Sequence, residues 1–455
     1  MVSSPSDASS SSSPGAAITG IVLAAGRGTR MRSKTPKVLH EVGGVPMLAH
    51  PLRALAAVGA TSAVVVTGHE AERVEEKTAK ECAGLIEVIL ARQDPPLGTG
   101  DAVEKAFDAI PEHTGTALIL NGDLPLLQPE TLEGLLAEHR ARGSAMTVLS
   151  LHRDDPSGYG RLIEGPDRAI ERIIEQKDAS PEDLRVQTVN GGLYAVELDA
   201  LRPVLAAWCA AESARIAAGE PGPSEIYFPP VVGPLAETGA RVGHSPLAES
   251  AFDDLQQVND RRELSIAEAL LRDRIITAHQ LAGVTITDPT QTWIECDVTI
   301  GGDTTVFPGC VIRRGVEIGA ECEVGPHAHL REGTVLEDDV KIGNYVEVKK
   351  TRIGSGARAK HLTYLGNGEI GRKVNVGAGT VLANYDGKNK FTTVVGEGAF
   401  IGSGTIIVAP AEIGEGAVTG AGALVTRNTT VSPGETVLGV PARPIPSREP
   451  DSPSR

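Results

Sequence analysis

A glycine-rich segment near the start of the chain could bind phosphates. An apolar run ends at Leu23 and is followed by Ala24-Ala25-Gly26-Arg27-Gly28-Thr29-Arg30-Met31 and then by Pro36-Lys37. Backbone N–H groups in a turn at the end of a strand bind phosphate oxygens, and Arg30 and Lys37 add positive charge. A Gly-x-Gly pair alone could equally mark a plain tight turn.

Two further residues have the chemistry of a site but also an ordinary structural interpretation. Asp123 follows another apolar run through Asn121-Gly122, where a carboxylate could bind a cation or only cap a helix. His361 could act as a general base because the pKa of histidine lies near neutrality. A single histidine is nevertheless often structural, so the surrounding residues must decide between the two interpretations.

The first half of the chain alternates apolar runs with amphipathic segments. The runs predict buried strands, and the segments between them predict helices. This alternation predicts an α/β, Rossmann-like domain with a mostly parallel sheet, whose ligands lie at the carboxyl ends of the strands. The predicted strands are 21–25, 63–67, 85–91 and 117–120, and the predicted helices are 46–58, 70–82, 101–109 and 129–142.

The second half of the chain has a period of six. Aliphatic residues recur at every sixth position from Ile294 to Val348, and the pattern returns between Ile370 and Ile413. A small or β-branched residue stands four positions after most of them. This period predicts a left-handed parallel β-helix of hexapeptide repeats, in which three hexapeptides make one turn of a triangular prism. The stretch 383–394 lacks the period and is predicted to be an outward loop, either functional or a tolerated insertion.

Composition excludes several classes of function. The 455 residues carry a formal net charge of −16, which argues against general binding to nucleic acid or to an anionic membrane. The five cysteines lie far apart and form no C-x-x-C pair, which favours a reduced, cytoplasmic protein over a disulfide framework or a zinc site. Residues 1–17 and 443–455 are predicted to be disordered tails, and no segment is predicted to insert into a membrane.

The string L-A-A-G-x-G-T-R-M with its trailing P-K resembles the signature of sugar-phosphate nucleotidylyltransferases. Further motifs follow in the order of that family, at 93–100, 121–125, 158–161 and 258–259. The resemblance implies uridylyl transfer from UTP with Asp123 and Asn259 as Mg²⁺ ligands. It implies that UTP and the UDP-sugar contact Leu23, Ala24, Ala25, Gly26, Arg30, Lys37, Gln93, Gly98, Thr99, Gly122, Gly160, Glu175, Asn190 and Asn259.

Motifs of the second half extend the resemblance. With V-E-V-K-K at 346–350, H-L-T-Y-L-G at 361–366 and N-Y-D-G at 384–387, the chain resembles the bifunctional N-acetylglucosamine-1-phosphate uridylyltransferase/glucosamine-1-phosphate acetyltransferase family over residues 18–442. The resemblance implies that His361 is the general base of acetyl transfer from acetyl-CoA. It implies sugar-phosphate contacts from Arg331, Lys349, Tyr364, Asn375 and Lys390, and acetyl-CoA contacts from Ala378, Asn384, Tyr385, Ser403 and Ala421.

The same resemblance implies the organisation of the whole protein. Residues 18–258 would form the nucleotidylyltransferase domain, 259–281 a linking helix, and 282–442 the acetyltransferase domain. The substrates would be small molecules, and the acetyl site would lie between the subunits of a homotrimer. UTP and acetyl-CoA would be co-substrates in the synthesis of UDP-N-acetylglucosamine.

Three features depart from that family. Asp101 stands where the family usually has His, and the segment 225–230 reads E-I-Y-F-P-P in place of E-Y-Y-L-T-D. The span from Asn259 to Arg331 is shorter by about five hexapeptides, which changes the length of the β-helix rather than its chemistry. Arg443 is the nearest substitute for a basic residue that would contact the phosphates of CoA.

Three alternatives remain at the level of sequence. The β-helix could be non-catalytic, although the motif at 361–366 and the loop at 383–394 argue against a passive rod. A purely structural or binding solenoid would leave the phosphate motifs of the first half unexplained. Finally, the nucleotide could be another, such as dTTP, because Gln93 and L-G-T-G favour uracil without excluding thymine.

Overall fold

The computed structural model describes residues 17–445, apart from the side chain of Pro166. Most of the two predicted tails, 1–17 and 443–455, lies outside the described residues. The chain forms two compact units that divide between Ala267 and Glu268. This division falls inside the helix that was predicted to link the two domains.

The first unit is built on a sheet flanked by helices. Its strands are β1 (Ile18–Leu23), β2 (Glu41–Val42), β3 (Val45–Pro46), β4 (Ser62–Thr67), β5 (Glu87–Arg92), β6 (Thr116–Asn121), β7 (Met146–His152), β8 (Arg161–Glu164), β9 (Ile170–Ile174), β10 (Thr188–Glu197) and β11 (Val242–Pro246). Its helices are α1 (Ala49–Ala57), α2 (Ala71–Glu81), α3 (Thr99–Ala109), α4 (Pro129–Arg142), α5 (Leu198–Ala217) and α6 (Val232–Glu237), and α7 (Arg261–Leu281) crosses the division between the units.

The main sheet is mostly parallel, as predicted. Its strand order is β11-β7-β10-β6-β1-β4-β5, and the β8–β9 hairpin joins β10 outside this path. Only β10 runs antiparallel along the path, against both β6 and β7. The chain passes from β1 to β4 on one side and later to β6 on the other, so a crevice opens at the carboxyl ends of β1 and β6. Those ends are Leu23 and Asn121, which are paired in register.

Successive residues of the central strands enter two different cores. Ile21 and Ile119 pack in a core that includes residues of α3 and α5, whereas Val22 and Leu118 pack in a core with residues of α1 and α4. Because both faces of the sheet are covered, these strands are continuous apolar runs rather than alternating ones. Each fully buried Ile, Leu or Val contributes about 1.5–3 kcal/mol, which holds the strand ends in fixed positions.

All four predicted strands and all four predicted helices of the first half are present, with ends shifted by a few residues. The sequence pattern assigned no elements between residues 143 and 258, where the structure has β7 to β11, α5 and α6. In α5 many alanines blur the difference between its faces, and β8 and β9 are short. The pattern therefore missed the region that supplies one side of the crevice.

The second unit is a parallel β-helix. Its strands are β12 (Thr285–Ile286), β13 (Trp293–Ile294), β14 (Thr299–Ile300), β15 (Thr305–Val306), β16 (Val311–Ile312), β17 (Glu317–Ile318), β18 (Glu323–Val324), β19 (His329–Leu330), β20 (Val335–Leu336), β21 (Lys341–Asn344), β22 (Glu347–Lys349), β23 (Arg352–Ile353), β24 (Arg358–His361), β25 (Tyr364–Gly366), β26 (Gly368–Ile370), β27 (Asn375–Val376), β28 (Val381–Ala383), β29 (Thr393–Val395), β30 (Phe400–Ile401), β31 (Ile406–Val408), β32 (Ala411–Ile413), β33 (Val418–Thr419), β34 (Leu424–Val425), β35 (Thr430–Val431), β36 (Thr436–Leu438) and β37 (Arg443–Pro444).

Every third strand of this unit belongs to the same flat sheet. Face one begins with β12, face two with β13 and face three with β14. Strand β37 turns back and pairs antiparallel with β36, so the ordered chain continues just past the predicted domain end at 442. The hexapeptide period thus predicted the left-handed β-helix fold correctly, and the last strand differs because it leaves the repeat.

The interior of the β-helix is filled as the period predicts. Ile312, Val348 and Ile407 are fully buried, and small residues at the inner corners leave room for them. The Thr304 hydroxyl donates to the Gly319 carbonyl at 2.8 Å and accepts from the backbone N–H of Cys322 at 3.0 Å. A buried threonine at such a corner is therefore satisfied by the neighbouring coil.

The predicted loop leaves the repeat after β28. Its residues 385–390 are exposed, and Tyr385 pairs with Lys390 as an antiparallel bridge. The Phe391 N–H donates to the Asn384 carbonyl at 2.9 Å. Along residues 17–445, no helix combines the length and apolar character needed to cross a membrane.

Candidate active sites

A cavity of about 690 Å³ opens in the first unit at the carboxyl ends of β1 and β6. Nine of the residues predicted to bind the nucleotide or metal line it: Leu23, Ala24, Ala25, Gly26, Lys37, Gln93, Gly98, Thr99 and Asp123. The structure adds Arg27, Val38, Pro96, Ala102, Asn121 and Glu225 to this lining. Gly122 supports the wall from behind, since its N–H donates to the Leu23 carbonyl at 2.9 Å.

Charged side chains meet at one end of this cavity. The Lys37 ammonium lies 2.5 Å from Oδ2 of Asp123 and 3.3 Å from Oδ1 of Asn259. The Arg30 guanidinium donates to the same Asn259 oxygen at 3.0 Å. The Asn259 N–H donates to the Glu263 carboxylate at 2.7 Å, which holds this residue at the start of α7. Tertiary folding thus brings together four predicted residues from distant segments.

Asp123 has an unused oxygen in this cluster. Its Oδ1 atom is buried and has no hydrogen-bond partner within residues 17–445. A buried acceptor without a partner costs about 1–3 kcal/mol, so the arrangement favours a cationic ligand. Among the described residues, no group of three or more His, Cys, Asp and Glu side chains could hold a metal. The side-chain oxygens of Asp123 and Asn259 are of the type that binds a hard cation such as Mg²⁺.

The L-G-T-G segment forms a tight turn against the segment 225–230. Gly98 has φ +120°, and a Cβ there would lie 2.4 Å from the Ile226 carbonyl oxygen, so this position requires glycine. Backbone bonds of 2.7 Å join Gly100 N–H to the Ile226 carbonyl and Ile226 N–H to the Leu97 carbonyl. The Thr99 hydroxyl accepts from the Phe228 N–H at 2.9 Å. The departure from the family at 225–230 therefore lies directly against the cavity wall.

The predicted sugar-binding residues gather around a bulge in β10. The Asn190 N–H donates to the Gly160 carbonyl at 2.9 Å, and the Asn190 amide donates to the Tyr194 hydroxyl at 2.7 Å. A Cβ at Gly160 would lie 3.3 Å from a Glu175 oxygen. Burial raises the pKa of Glu175, and the positive charge of Lys177 opposes this rise. Gly160, Glu175 and Asn190 thus form one group that is separate from the set lining the cavity.

Basic side chains gather on face two of the β-helix. Arg331 follows β19 and Lys349 ends β22, and the pairing of Leu330 with Val348 places them on adjoining turns. The positive charges of Arg331 and Lys390 lower the pKa of Lys349. An Arg331 nitrogen donates to the Glu347 carboxylate at 2.7 Å. Lys350 adds a fourth positive charge, and Glu332 and Glu347 are the nearby carboxylates, so the group keeps a positive surplus that suits a phosphate.

Tyr364 and Asn384 adjoin this cationic group. Tyr364 is paired with Glu347 across β22 and β25, and a Cβ at Gly366 would lie 2.5 Å from the Tyr364 hydroxyl. The Tyr364 ring therefore lies over Gly366, where any larger residue would clash with the Tyr364 hydroxyl. The amide of Asn384 is buried and donates to the side-chain carbonyl of Asn367 at 2.7 Å.

His361 lies on a different part of the rod, at the corner between faces one and two. It is exposed and is paired in register with Asn344. Its imidazole has no hydrogen-bond partner in the part of the chain that the structure describes. Continuing the register places Ala378, Ser403 and Ala421 on the next three turns, where Gly404 N–H donates to Ala378 and Gly422 N–H to Ser403 at 2.7 and 2.8 Å.

Successive coils are stacked closely along this corner. A Cβ at Gly377 would lie 2.5 Å from the Ser403 backbone nitrogen, so two coils approach closely there. Ser403 and Ala421 are exposed along the same line. The predicted acetyl-CoA residues Ala378, Ser403 and Ala421 are therefore aligned with His361 on one edge of the prism.

Comparison with known proteins decides the family. Residues 20–227 match the MobA-like NTP transferase domain, and residues 292–332 and 392–427 match the bacterial transferase hexapeptide family of six repeats. A relative from Trichlorobacter lovleyi named Bifunctional protein GlmU is 41% identical over 427 residues, which cover 86% of this chain and 90% of that protein. The chain belongs to the GlmU family.

A second GlmU relative gives the same result. The protein from Shouchella clausii is 38% identical over 426 residues, which cover 86% of this chain and 90% of its own length. Among solved structures, the nucleoside-diphosphate-sugar pyrophosphorylase from Vibrio cholerae RC9 aligns with 55% of this chain and 99% of its own at 15% identity and a TM-score of 0.43. The GlmU relatives span both units, as the sequence motifs predicted.

Not every predicted site residue is brought to its group. Asn375 is exposed on face one, where it pairs with Phe400, whereas Tyr364 and Lys349 lie on face two. Tyr385 is in the loop, and its hydroxyl donates to the Gly387 carbonyl at 2.6 Å. Within one chain, the residues assigned to acetyl transfer in a GlmU-type protein therefore form two groups on either side of a corner.

Several residues of these sites were missed at the sequence level. Arg27 and Asn121 adjoin predicted motifs, so their position in sequence was the available signal. Arg427 was missed altogether: it lies 4.1 Å over the Phe391 ring and 3.4 Å from the Asp386 carboxylate. Arg427 belongs to the β-helix and contacts the outward loop, and no sequence motif indicated this contact.

Proposed function

We propose that this protein makes UDP-N-acetylglucosamine by two successive reactions. The first transfers an acetyl group from acetyl-CoA to glucosamine-1-phosphate. The second transfers a uridylyl group from UTP to N-acetylglucosamine-1-phosphate and releases pyrophosphate. The observation that carries this proposal is the presence, in one chain of the GlmU family, of both a phosphate-type cavity with a cation cluster and a corner with His361 near a basic face.

The proposed uridylyl reaction follows from the charges in the first cavity. Attack of a sugar phosphate on the α-phosphorus of UTP needs charge neutralisation and an in-line geometry, but no protein nucleophile. Arg30 and Lys37 supply fixed positive charge, and the turn at Ala24–Gly26 supplies backbone N–H groups. Asp123 and Asn259 would hold Mg²⁺, which neutralises phosphate charge when bound. The group formed by Gly160, Glu175 and Asn190 would hold the sugar.

The proposed acetyl reaction uses His361 as general base. The amine of glucosamine-1-phosphate must lose a proton to attack the thioester carbon of acetyl-CoA. Nitrogen then forms the amide bond, and CoA leaves as the thiol after it receives a proton. An exposed imidazole on a rigid strand end can accept the amine proton, while Arg331, Lys349 and Lys390 bind the sugar phosphate. Tyr364 and Asn375 would hold the sugar, and Asn384 and Tyr385 would adjoin the acetyl group.

The proposed assembly is a homotrimer. Within one chain, His361 and Asn375 are not grouped with the cationic residues of face two, so a neighbouring subunit would complete the acetyl site. Light scattering of the purified protein should give three times the 47.4 kDa of one chain. A monomer over a wide concentration range would exclude the shared site. We place the protein in the cytoplasm, because its proposed substrates, UTP, acetyl-CoA and a sugar phosphate, are metabolites.

One assay tests the proposed function as a whole. Purified protein is incubated with glucosamine-1-phosphate, acetyl-CoA, UTP and Mg²⁺, and UDP-N-acetylglucosamine is the expected product. Omission of acetyl-CoA should abolish this product, and supply of N-acetylglucosamine-1-phosphate should restore it. If UDP-N-acetylglucosamine forms only when N-acetylglucosamine-1-phosphate is supplied, the protein transfers no acetyl group. It would then be a nucleotidylyltransferase with a non-catalytic β-helix. Equal use of dTTP would overturn the choice of UTP.

A further inference from the structure

Asp101 is a buried carboxylate next to the side chain that the family resemblance assigns to the base of the nucleotide. It lies in the first turn of α3 and is 5% exposed. Its Oδ2 atom is 2.6 Å from the amide nitrogen of Gln93. Thr99 and Ala102 line the cavity on either side of it, so Asp101 supports Gln93 from behind rather than reaching the ligand itself.

The hydrogen bonds of Gln93 determine which way its amide points. Its nitrogen donates to the Gly98 carbonyl at 2.8 Å and to Asp101 at 2.6 Å. Both partners are acceptors, so the atom facing them must be the nitrogen, and its two hydrogens are both used. The oxygen Oε1 has no hydrogen-bond partner within residues 17–445. The amide of Gln93 therefore offers the cavity an acceptor and no donor.

A hydrogen-bond acceptor at this point would bind uracil in preference to cytosine. Uracil carries a hydrogen on N3 and can donate it to Oε1 of Gln93. Cytosine has a lone pair on N3, which would face the lone pairs of Oε1. If the amide turned over, its nitrogen could donate to cytosine N3, but it would then place its oxygen against the Gly98 carbonyl and the Asp101 carboxylate. Two acceptors, one of them a carboxylate, oppose that rotation.

We propose that Asp101 is a positioning residue that holds Gln93 in the orientation that accepts uracil N3–H and rejects cytosine. This inference rests on the proposed function, because it assumes that a nucleoside triphosphate occupies the cavity. The Gly98 carbonyl belongs to the backbone and cannot be removed by a substitution, whereas the Asp101 carboxylate is a side chain that can be changed. The selectivity for UTP over CTP therefore depends on Asp101 although it does not contact the base.

The test compares two substitutions of similar size. D101L removes the acceptor, and D101N keeps an oxygen that can accept from the Gln93 amide. The ratio of kcat/KM for UTP to that for CTP is measured with N-acetylglucosamine-1-phosphate. We expect this ratio to fall about tenfold in D101L, the equivalent of one hydrogen bond, and to stay within about twofold of the wild type in D101N. Acetyl transfer and the thermal midpoint report on folding, and D101A replaces D101L if the leucine does not fold.

A double-mutant cycle shows whether Asp101 acts through Gln93. Q93M removes the amide, so adding D101L to Q93M should change the ratio no further. An unchanged ratio in both D101L and D101A overturns the inference, as does a full additional loss in the double variant. Wild-type protein that uses UTP and CTP equally also overturns it while leaving the proposed function intact. Wild-type protein that transfers no uridylyl group would overturn the proposed function itself.

Discussion

The two candidate sites are built in opposite ways. In the α/β unit, strand ends and loops from distant segments enclose one cavity, and Lys37 already contacts both Asp123 and Asn259 there. On the β-helix, the predicted residues lie on an open surface, and a corner separates His361 from Lys349. An enclosed site can be completed by the fold of one chain, whereas flat faces and convex corners cannot surround a ligand without a second surface.

The difference also appears in the electrostatics of the two sites. In the first cavity, Lys37 is paired with Asp123, so one of the two cations of the cluster is already neutralised before a ligand arrives. On the β-helix, Arg331 on face two and Lys390 in the adjoining loop repel the positive charge of Lys349, and this repulsion lowers the pKa of Lys349. The first site is therefore arranged to exchange ion pairs for ligand contacts. The second holds an excess of positive charge that an anionic substrate relieves.

Asp123→Asn should have the largest effect and should separate the two sites. Loss of the carboxylate removes the main predicted metal ligand, and charge stabilisation by the metal is worth several kcal/mol. We expect uridylyl transfer to fall by about 10⁴-fold, with acetyl transfer nearly unchanged. The two half-reactions are assayed separately, each with its own substrates. An equal fall in both would mean that the sites are not independent.

His361→Ala tests the open site in the same way. We expect acetyl transfer to fall by about 10²–10⁴-fold, mainly in kcat, because substrate binding depends on other residues. Uridylyl transfer should not change, since that reaction needs no base. Activity is measured per correctly assembled protein, because an imidazole that only packs against the coil would affect assembly and thermal stability instead. A kcat near the wild-type value in the assembled variant would refute the role of general base.

Lys349→Gln should have the smallest effect. It should stabilise the free protein but weaken the binding of the sugar phosphate. The lowered pKa of Lys349 means that the folded state is penalised for carrying this charge below that pKa, and that the penalty disappears as pH rises through it. Removing the charge should therefore raise the thermal midpoint of the free protein by about 1 °C. The KM for glucosamine-1-phosphate should rise by about tenfold, as expected for loss of one charged hydrogen bond.

The control for this prediction is Lys350→Gln, an exposed lysine next in sequence. It should leave KM within about twofold, the size of a screened surface charge. A fall in the thermal midpoint of Lys349→Gln at neutral pH would contradict the repulsion inferred on face two. The difference between the two variants would then come from packing of the Lys349 side chain rather than from its charge.

Sequence patterns alone predicted the fold class of both halves, and the motifs predicted the family that the comparisons then showed. The apolar runs at 63–67 and 117–120 are strands because a doubly covered sheet requires uninterrupted apolar residues. The period of six determines the β-helix because each coil side has room for one large inward residue. These are local rules, and they hold whatever the rest of the chain does. The same rules predicted nothing between residues 143 and 258, where short strands and an alanine-rich helix carry no clear period.

Tertiary structure alone decided which predicted residues meet. No local rule places Asn259 beside Lys37, because these residues are far apart in sequence and meet only when the sheet is assembled. Asp101 and Gln93 are only eight residues apart, but no pattern in the sequence showed that their side chains would meet. The same holds for the β-helix, where register places His361 in line with Ser403 and separates it from Lys349. Hydrogen bonds and charge pairs need partners at defined distances and angles, and the packed fold sets these, so their partners are a property of the fold rather than of the motif.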